Sequence, residues 1–270
     1  MIPPTQIPPT PVAEMPQTAQ AVVTTILGVL AVVVVAAALF ESRRTRSPLY
    51  PAVLLGGLLA AFNEPIVDIL GGCLHHQLGQ WTVFTTFDRP MPVWLCLAYL
   101  LYFGGAPLVI RRLLDGASPK AAFQRAIGGL LVANLVLELP ILRAGLYDYY
   151  GEQPFKIFGF APHWLVINAL GVSFTVVALY RWPALSGRGW PAALVIPAAG
   201  QLAAVGAAAL PAFSAYNSDA SVTWKWVASA ATIALGFLLI RGVSFLLPDG
   251  PAPAGDPREP STPAAAATTR

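Results

Sequence analysis

The chain has 270 residues, of which 56% are hydrophobic and only 11% charged, with a mean hydropathy of +0.64. Soluble domains carry roughly 25% charged residues, so this composition excludes a water-soluble globular protein and points to an integral membrane protein. The formal net charge of +3 is spread as a topology signal rather than gathered in a patch, and no nucleic-acid partner is expected.

Residues 1–20 are rich in Pro and Thr and contain no Lys or Arg. They lack the positive n-region of a cleaved signal peptide and read as a disordered N-terminal tail before a retained anchor. Crossing a hydrocarbon core of about 30 Å takes roughly 20 apolar residues. Such runs fall at about 21–40, 50–70, 91–110, 124–142, 161–180, 190–210 and 224–247. They predict an all-α integral membrane protein, a seven-transmembrane helix bundle over 21–247, multi-pass in the cell membrane with the lipid bilayer around it. Residues 248–270 have the Pro, Ala, Ser and Thr bias of a disordered C-terminal tail.

Short cytoplasmic loops retain Lys and Arg. Twelve of the sixteen basic residues (Arg43, Arg44, Arg46, Arg111, Arg112, Lys120, Arg125, Arg181, Arg188, Arg241, Arg258 and Arg270) fall on one side of the predicted bundle. Arg89, Arg143, Lys156 and Lys225 fall on the other. This predicts the N-terminus outside and the C-terminus cytoplasmic.

Polar groups inside a spanning helix are costly and face a cavity or a partner. The second run carries "FNEPIVDILGG", with Asn63, Glu64 and Asp68 in its outer half. The fourth carries Asn134 and Glu138 in "NLVLELP", the fifth His163 and Asn168, and the seventh starts near Asp219, Trp224 and Lys225. These depths coincide, so the expectation is a polar pocket in the outer half of the membrane; the alternative is polar glue between helices. Glu64 and Asp68 are spaced i, i+4 on one helix face. Two like charges that close cannot both ionise readily, so one is expected to hold a proton. Pro65 is expected to bend its helix and leave the Ala61 carbonyl free. Glu138 reads either as a site residue or as the partner of Arg143.

The loop 73–94 is long, with Gly, aromatics and a His pair, and reads as a lid or re-entrant segment; Trp81, Phe84, Phe87 and Trp94 suit a substrate mouth or an interfacial belt. The loop 143–164 adds Tyr147, Asp148, Tyr149 and Tyr150. Cys73 and Cys96 read as buried free thiols. His75 and His76 are adjacent and point apart on any regular element, and the cysteines form no CxxC, so no metal and no cofactor are expected. There is no phosphate-binding Gly loop and no Asp-rich cluster for magnesium diphosphate. A microbial rhodopsin is disfavoured because Lys225 sits at the edge of its run, and a transporter because no internal repeat is visible.

The stretches "FNEPIVDILGG", "GQWTVFTTFDRPMPVWLCLAYLLYFGG" (79–105) and "YYGEQPFKIFGFAPHWLVINALG" (149–171) resemble the spirocyclase AveC family of actinobacterial membrane proteins. The resemblance covers about half of the chain. It implies a membrane-embedded cyclase of secondary metabolism, of the kind that closes and dehydrates a polyketide spiroketal, and carries over no catalytic residue. The architecture is also similar to the seven-helix fungal meroterpenoid cyclases, which use an acid on the second helix and another near the seventh; Glu64 and Asp219 stand at those places.

The resulting expectation is an acid/base cyclase acting on a hydrophobic polyketide or isoprenoid without a metal, an isomerase or lyase by class. Glu64 is the expected acid, Asp68 the partner that sets its protonation, and Glu138 or Asp219 the base. Asn63, Trp81, Trp94, Tyr99, Asn134, Tyr147, His163, Asn168 and Trp224 are the expected substrate contacts. A protonation-initiated terpene cyclase and a non-enzymatic hydrophobe-binding protein are the alternatives.

Overall fold

The computed structural model describes residues 11–250 apart from residue 117. Among the described residues, seven helices are long and apolar enough to cross a membrane: α1 Gln17–Thr45, α2 Leu49–Gly71, α3 Val93–Leu113, α4 Pro119–Arg143, α5 Pro162–Arg181, α6 Ile196–Tyr216 and α7 Val222–Ser244. The chain is therefore a helical bundle of multi-pass membrane character. The central helix is α5, buried along most of its length, with α3, α4, α6 and α7 packed around it. In contrast, α1 and α4 lie at the periphery and expose apolar side chains such as Val32, Val33, Val132 and Val136. Outward-facing Val and Leu suit a bilayer, where lipid rather than water solvates them.

Two of the crossings depend on glycine. A Cβ on Gly57 of α2 would lie 2.3 Å from the backbone nitrogen of Gly104 in α3, and one on Gly71 would lie 2.1 Å from the Trp164 ring of α5. Gly57 lets α2 and α3 approach to backbone contact and Gly71 makes room for the Trp164 ring, the usual device where no hydrophobic effect drives helices together.

Proline shapes the helices in three ways. At Pro65 the helix tightens into a 3-10 turn over Ala61–Asn63 and then resumes. The Ala61 carbonyl, expected to be free, instead accepts the Glu64 N–H. The sixth run, expected to start near 190, first forms the short helix Trp190–Ala193 and enters α6 only at Ile196. The Pro197 ring would crowd the carbonyl four residues earlier, so it sits in the first turn of a new helix instead of inside a longer one. Pro140, by contrast, is accommodated inside α4 near its end. The seventh span starts at Val222, capped by Ser221, whose Oγ accepts the Trp224 N–H at 3.2 Å.

The ends of α2 and α3 and of α4 and α5 are joined by loops that carry four short strands: β1 Cys73–His75, β2 Thr82–Thr86, β3 Arg89–Pro92 and β4 Tyr147–Tyr149. β1 pairs antiparallel with β4, setting Cys73 opposite Tyr149 and His75 opposite Tyr147. β2 and β3 form a hairpin turned by Phe87 and Asp88, both at positive φ. These strands cap one end of the bundle where a lid or re-entrant segment was expected. The N-terminal segment joins the cap. The disordered tail expected through residue 20 is ordered from Ala13: the Ala13 carbonyl accepts the Gln77 N–H, the Leu78 carbonyl accepts the Met15 N–H, and the Gln17 and Gln20 amides donate to Gly79. Residues 1–10 and 251–270, most of the two expected tails, lie outside the described residues.

Candidate functional site

A cavity of about 390 Å³ lies under the strand cap, among α1, α2, α3, α4 and α5. Its walls are largely apolar: Ile26, Leu27, Leu30 and Val34 from α1, Leu130, Leu137 and Ile141 from α4, and Ala98 and Leu101 from α3. Aromatic rings line the rest, with Trp94, Tyr99, Tyr102 and Phe103 on α3, Tyr147 and Tyr149 on β4, and Trp164 on α5. Into this apolar space face two carboxyls, Glu64 and Glu138, together with Asn134, Asn168, Cys73 and His75.

The 3-10 turn ahead of Pro65 sets where Glu64 stands. Tyr99 donates a hydrogen bond to its Oε2. The Tyr99 oxygen in turn accepts from Gln201 Nε2 on α6 at 3.0 Å, and Gln201 Oε1 accepts from Asn63 Nδ2 at 2.7 Å. Three helices thus hold Glu64 through one chain of hydrogen bonds. Glu138 is held from the other side: Asn134 Nδ2 donates at 2.7 Å, the Tyr147 hydroxyl at 2.9 Å and the Tyr149 hydroxyl at 3.5 Å. The guanidinium of Arg143, the alternative partner considered for Glu138, lies over the Phe158 ring instead, 5.0 Å from its centroid.

Asp68, one turn beyond Glu64, points to the turn that follows α2. Gly72 takes a left-handed conformation there, φ 62°, which suits glycine because it has no Cβ to clash. The chain reverses, and β1 places Cys73 and His75, two residues apart, on one side of the strand. Asp68 Oδ2 lies 3.1 Å from His75 Nδ1. Burial opposes a charged imidazole, but the Asp68 carboxylate outweighs it, and His75 is raised above its ordinary value. Burial pushes the Cys73 thiol well above the usual thiol range, and the charges of Asp68 and Glu64 add to this. Oxygen, sulfur and nitrogen atoms of Asp68, Cys73 and His75 all lie within 4.8 Å of one another, so these are residues with the geometry to hold a cation.

Of the expected site residues, the structure gathers Glu64, Glu138, Trp94, Tyr99, Asn134, Tyr147 and Asn168 around one cavity. Asp68 stands immediately behind it, and Asn63 reaches it through Gln201. Others stand elsewhere. Asp219 is on the exposed turn between α6 and α7, Trp224 is 59% exposed, and Trp81 is 44% exposed on the cap. His163 is fully buried beside Tyr216, whose hydroxyl is 3.5 Å from its Nδ1, and does not line the cavity. Cys73 and Cys96 are both free and buried.

Sequence reasoning missed Cys73, His75 and Tyr149 as cavity residues. The available signal was the spacing of Asp68, Cys73 and His75 across a Gly-Gly turn, since a reversal there returns a strand onto the last helical turn. Comparison with known proteins adds no relative: no protein family, no curated protein and no solved structure matches the chain.

Proposed function

We propose that the protein is a membrane-embedded acid/base cyclase that binds a hydrophobic substrate in the cavity and starts ring closure with a proton from Glu64. The observation that carries this reading is the pairing of two buried carboxyls from different helices, Glu64 and Glu138, across one apolar and aromatic space. Helix packing alone needs no such space; Tyr99 fixes one oxygen of Glu64 and leaves the other for a ligand or proton, while Glu138 is held on both oxygens, by Asn134 on Oε1 and by Tyr147 and Tyr149 on Oε2.

Cyclisation, rather than another acid/base reaction, rests on the resemblance to the spirocyclase AveC family. For a spiroketal, Glu64 protonates a hemiketal hydroxyl, the C–O bond breaks and water leaves. The oxocarbenium ion is attacked by a second hydroxyl, whose proton passes to Glu138. For an isoprenoid, the same proton goes to an alkene or epoxide, and the carbocation lies against the rings of Trp94, Tyr147 and Trp164 until Glu138 removes a proton. Asn134 and Asn168 orient the polar end of the substrate. Both routes need Glu64 protonated when substrate arrives, in a site from which bulk water is excluded.

The excess of Lys and Arg between α1 and α2, α3 and α4, and α5 and α6 supports a cytoplasmic position for those loops. The strand cap and the cavity then face the outer side of the cell membrane, with the N-terminus outside. Cysteine-accessibility labelling of single Cys residues at positions 87 and 188 in intact cells tests this orientation.

Incubation of the purified protein with long-chain dihydroxyketones and with farnesyl or geranylgeranyl epoxides, followed by mass spectrometry for cyclic products, tests the reaction. Hydrophobic ligands retained but never altered would favour a binding protein, in which the two carboxyls serve only as helix glue.

A further inference from the structure

The end of α2 and strand β1 form a second constellation that the cyclase reading does not use. Asp68, Cys73 and His75 are 1%, 5% and 4% exposed, and their donor atoms lie within 4.8 Å of one another. Asp68 Oδ2 meets His75 Nδ1, but Asp68 Oδ1 is buried without a hydrogen-bond partner. A carboxylate oxygen left bare in a protein interior costs free energy unless something fills it.

The backbone around these groups is pinned. Gln153 Nε2 donates to the Gly71 and Gly72 carbonyls at 2.9 and 2.8 Å, and the Tyr150 N–H donates to Gly72 O at 2.8 Å. Pairing with β4 along one edge of β1 fixes Cys73 opposite Tyr149 and His75 opposite Tyr147. The turn therefore presents the three side chains on a rigid support, as a cation site requires.

The donor set is one carboxylate oxygen, one sulfur and one imidazole nitrogen, a mixture suited to zinc and its neighbours rather than to calcium or magnesium, which prefer oxygen alone. Metal bonds of about 2.0–2.3 Å at tetrahedral angles put neighbouring ligand atoms roughly 3.3–3.6 Å apart. The Asp68–His75 separation of 3.1 Å is close to this, and the Cys73 sulfur lies within 4.8 Å of both partners. Cys73 and His75 also line the cavity.

We propose that Asp68, Cys73 and His75 bind a divalent transition-metal cation of the zinc class, with a coordination position open to the cavity. The cation takes the place of the proton between Asp68 Oδ2 and His75 Nδ1, compensates the buried carboxylate whose Oδ1 has no hydrogen-bond partner, and binds Cys73 as thiolate. Three protein ligands with an open position is the arrangement that admits an oxygen of a bound molecule. The inference is independent of the cyclase reading, and its test needs no activity.

The full chain, free of any histidine tag, is purified in detergent, stripped with chelator and re-equilibrated with Zn²⁺ or Co²⁺. Elemental analysis after gel filtration is expected to find about one metal per chain. The cobalt form is expected to show a thiolate-to-cobalt charge-transfer band, lost in Cys73→Ser and kept in Cys96→Ser. Asp68→Asn and His75→Gln are expected to lower affinity at least tenfold, and His76→Gln to leave it unchanged. Binding of no metal by the wild type, or a band that survives Cys73→Ser, overturns the proposal. If the variants fail to fold, the wild-type cobalt spectrum decides alone, because absence of the thiolate band is enough to overturn it.

Discussion

Tyr99 on α3 donates its hydroxyl hydrogen bond to Glu64 on α2 while accepting one from Gln201 on α6. The direction of this chain matters. Gln201 gives to Tyr99 and Tyr99 gives to Glu64, so Oε2 of Glu64 is an acceptor, and a proton carried on Oε1 is free for a ligand. Tyr99→Phe removes the donor to Glu64 and the acceptor of Gln201 together, leaving two buried polar groups unmatched. The expected cost is about 1–3 kcal/mol per group, read as a lower melting temperature in detergent.

Glu138 tests the opposite wall. Its bonds from Tyr147 and Asn134 predict that Tyr147→Phe and Glu138→Gln are not additive. A double-mutant cycle on thermal stability is expected to give a coupling energy of about 0.5–3 kcal/mol. Additive effects would mean that the phenol does not hold the carboxyl in the membrane.

The cavity itself predicts an outcome that separates binding from folding. Ala98 lines the cavity and is only partly buried, so Ala98→Phe fills the space without a backbone clash. Retention of a hydrophobic ligand, measured by native mass spectrometry, is expected to fall at least tenfold while the melting temperature changes little. Unchanged retention would place the binding site elsewhere.

The crossing of α2 and α3 predicts the reverse pattern. A Cβ at Gly57 meets the backbone of Gly104 at 2.3 Å, where no side chain can yield. Gly57→Ala is expected to destabilise by the upper end of the roughly 1–3 kcal/mol typical of overpacking, with loss of folded protein in size-exclusion profiles. Gly128→Ala, a position where a Cβ meets nothing within 4 Å, serves as the control.

The spans were legible because bilayer thickness sets their length and every backbone group must bond within its own helix. Their ends were less so: Pro197 starts a new helix at Ile196, and nothing in the apolar run from 190 marks that break except the prolines. The cap was the hardest part. β1 and β4 are three residues each and lie far apart in sequence, so the pairing of Cys73 with Tyr149 leaves no periodic signal. At the site, the shared depth of Glu64, Asn134, Glu138 and Asn168 was readable from helix direction alone. Asp219 and Trp224 show the limit of that reasoning, since equal depth does not give equal facing: Asp219 stands on the exposed turn before α7 and Trp224 is exposed in the first turn of α7. His75 was hidden by the turn at Gly72, which decides that the strand folds back over the last turn of α2.

Turnover by Glu64→Gln is the most direct measurement of the central claim. Wild type and variant are incubated in detergent with the dihydroxyketone and prenyl-epoxide panel, and cyclic product is quantified against time. Glutamine keeps the shape and an acceptor oxygen for Tyr99 but has no acidic proton, so product formation is expected to fall at least about 100-fold, as loss of a general acid does, with ligand retention preserved. Full turnover by Glu64→Gln would contradict the assignment of Glu64 as the proton donor.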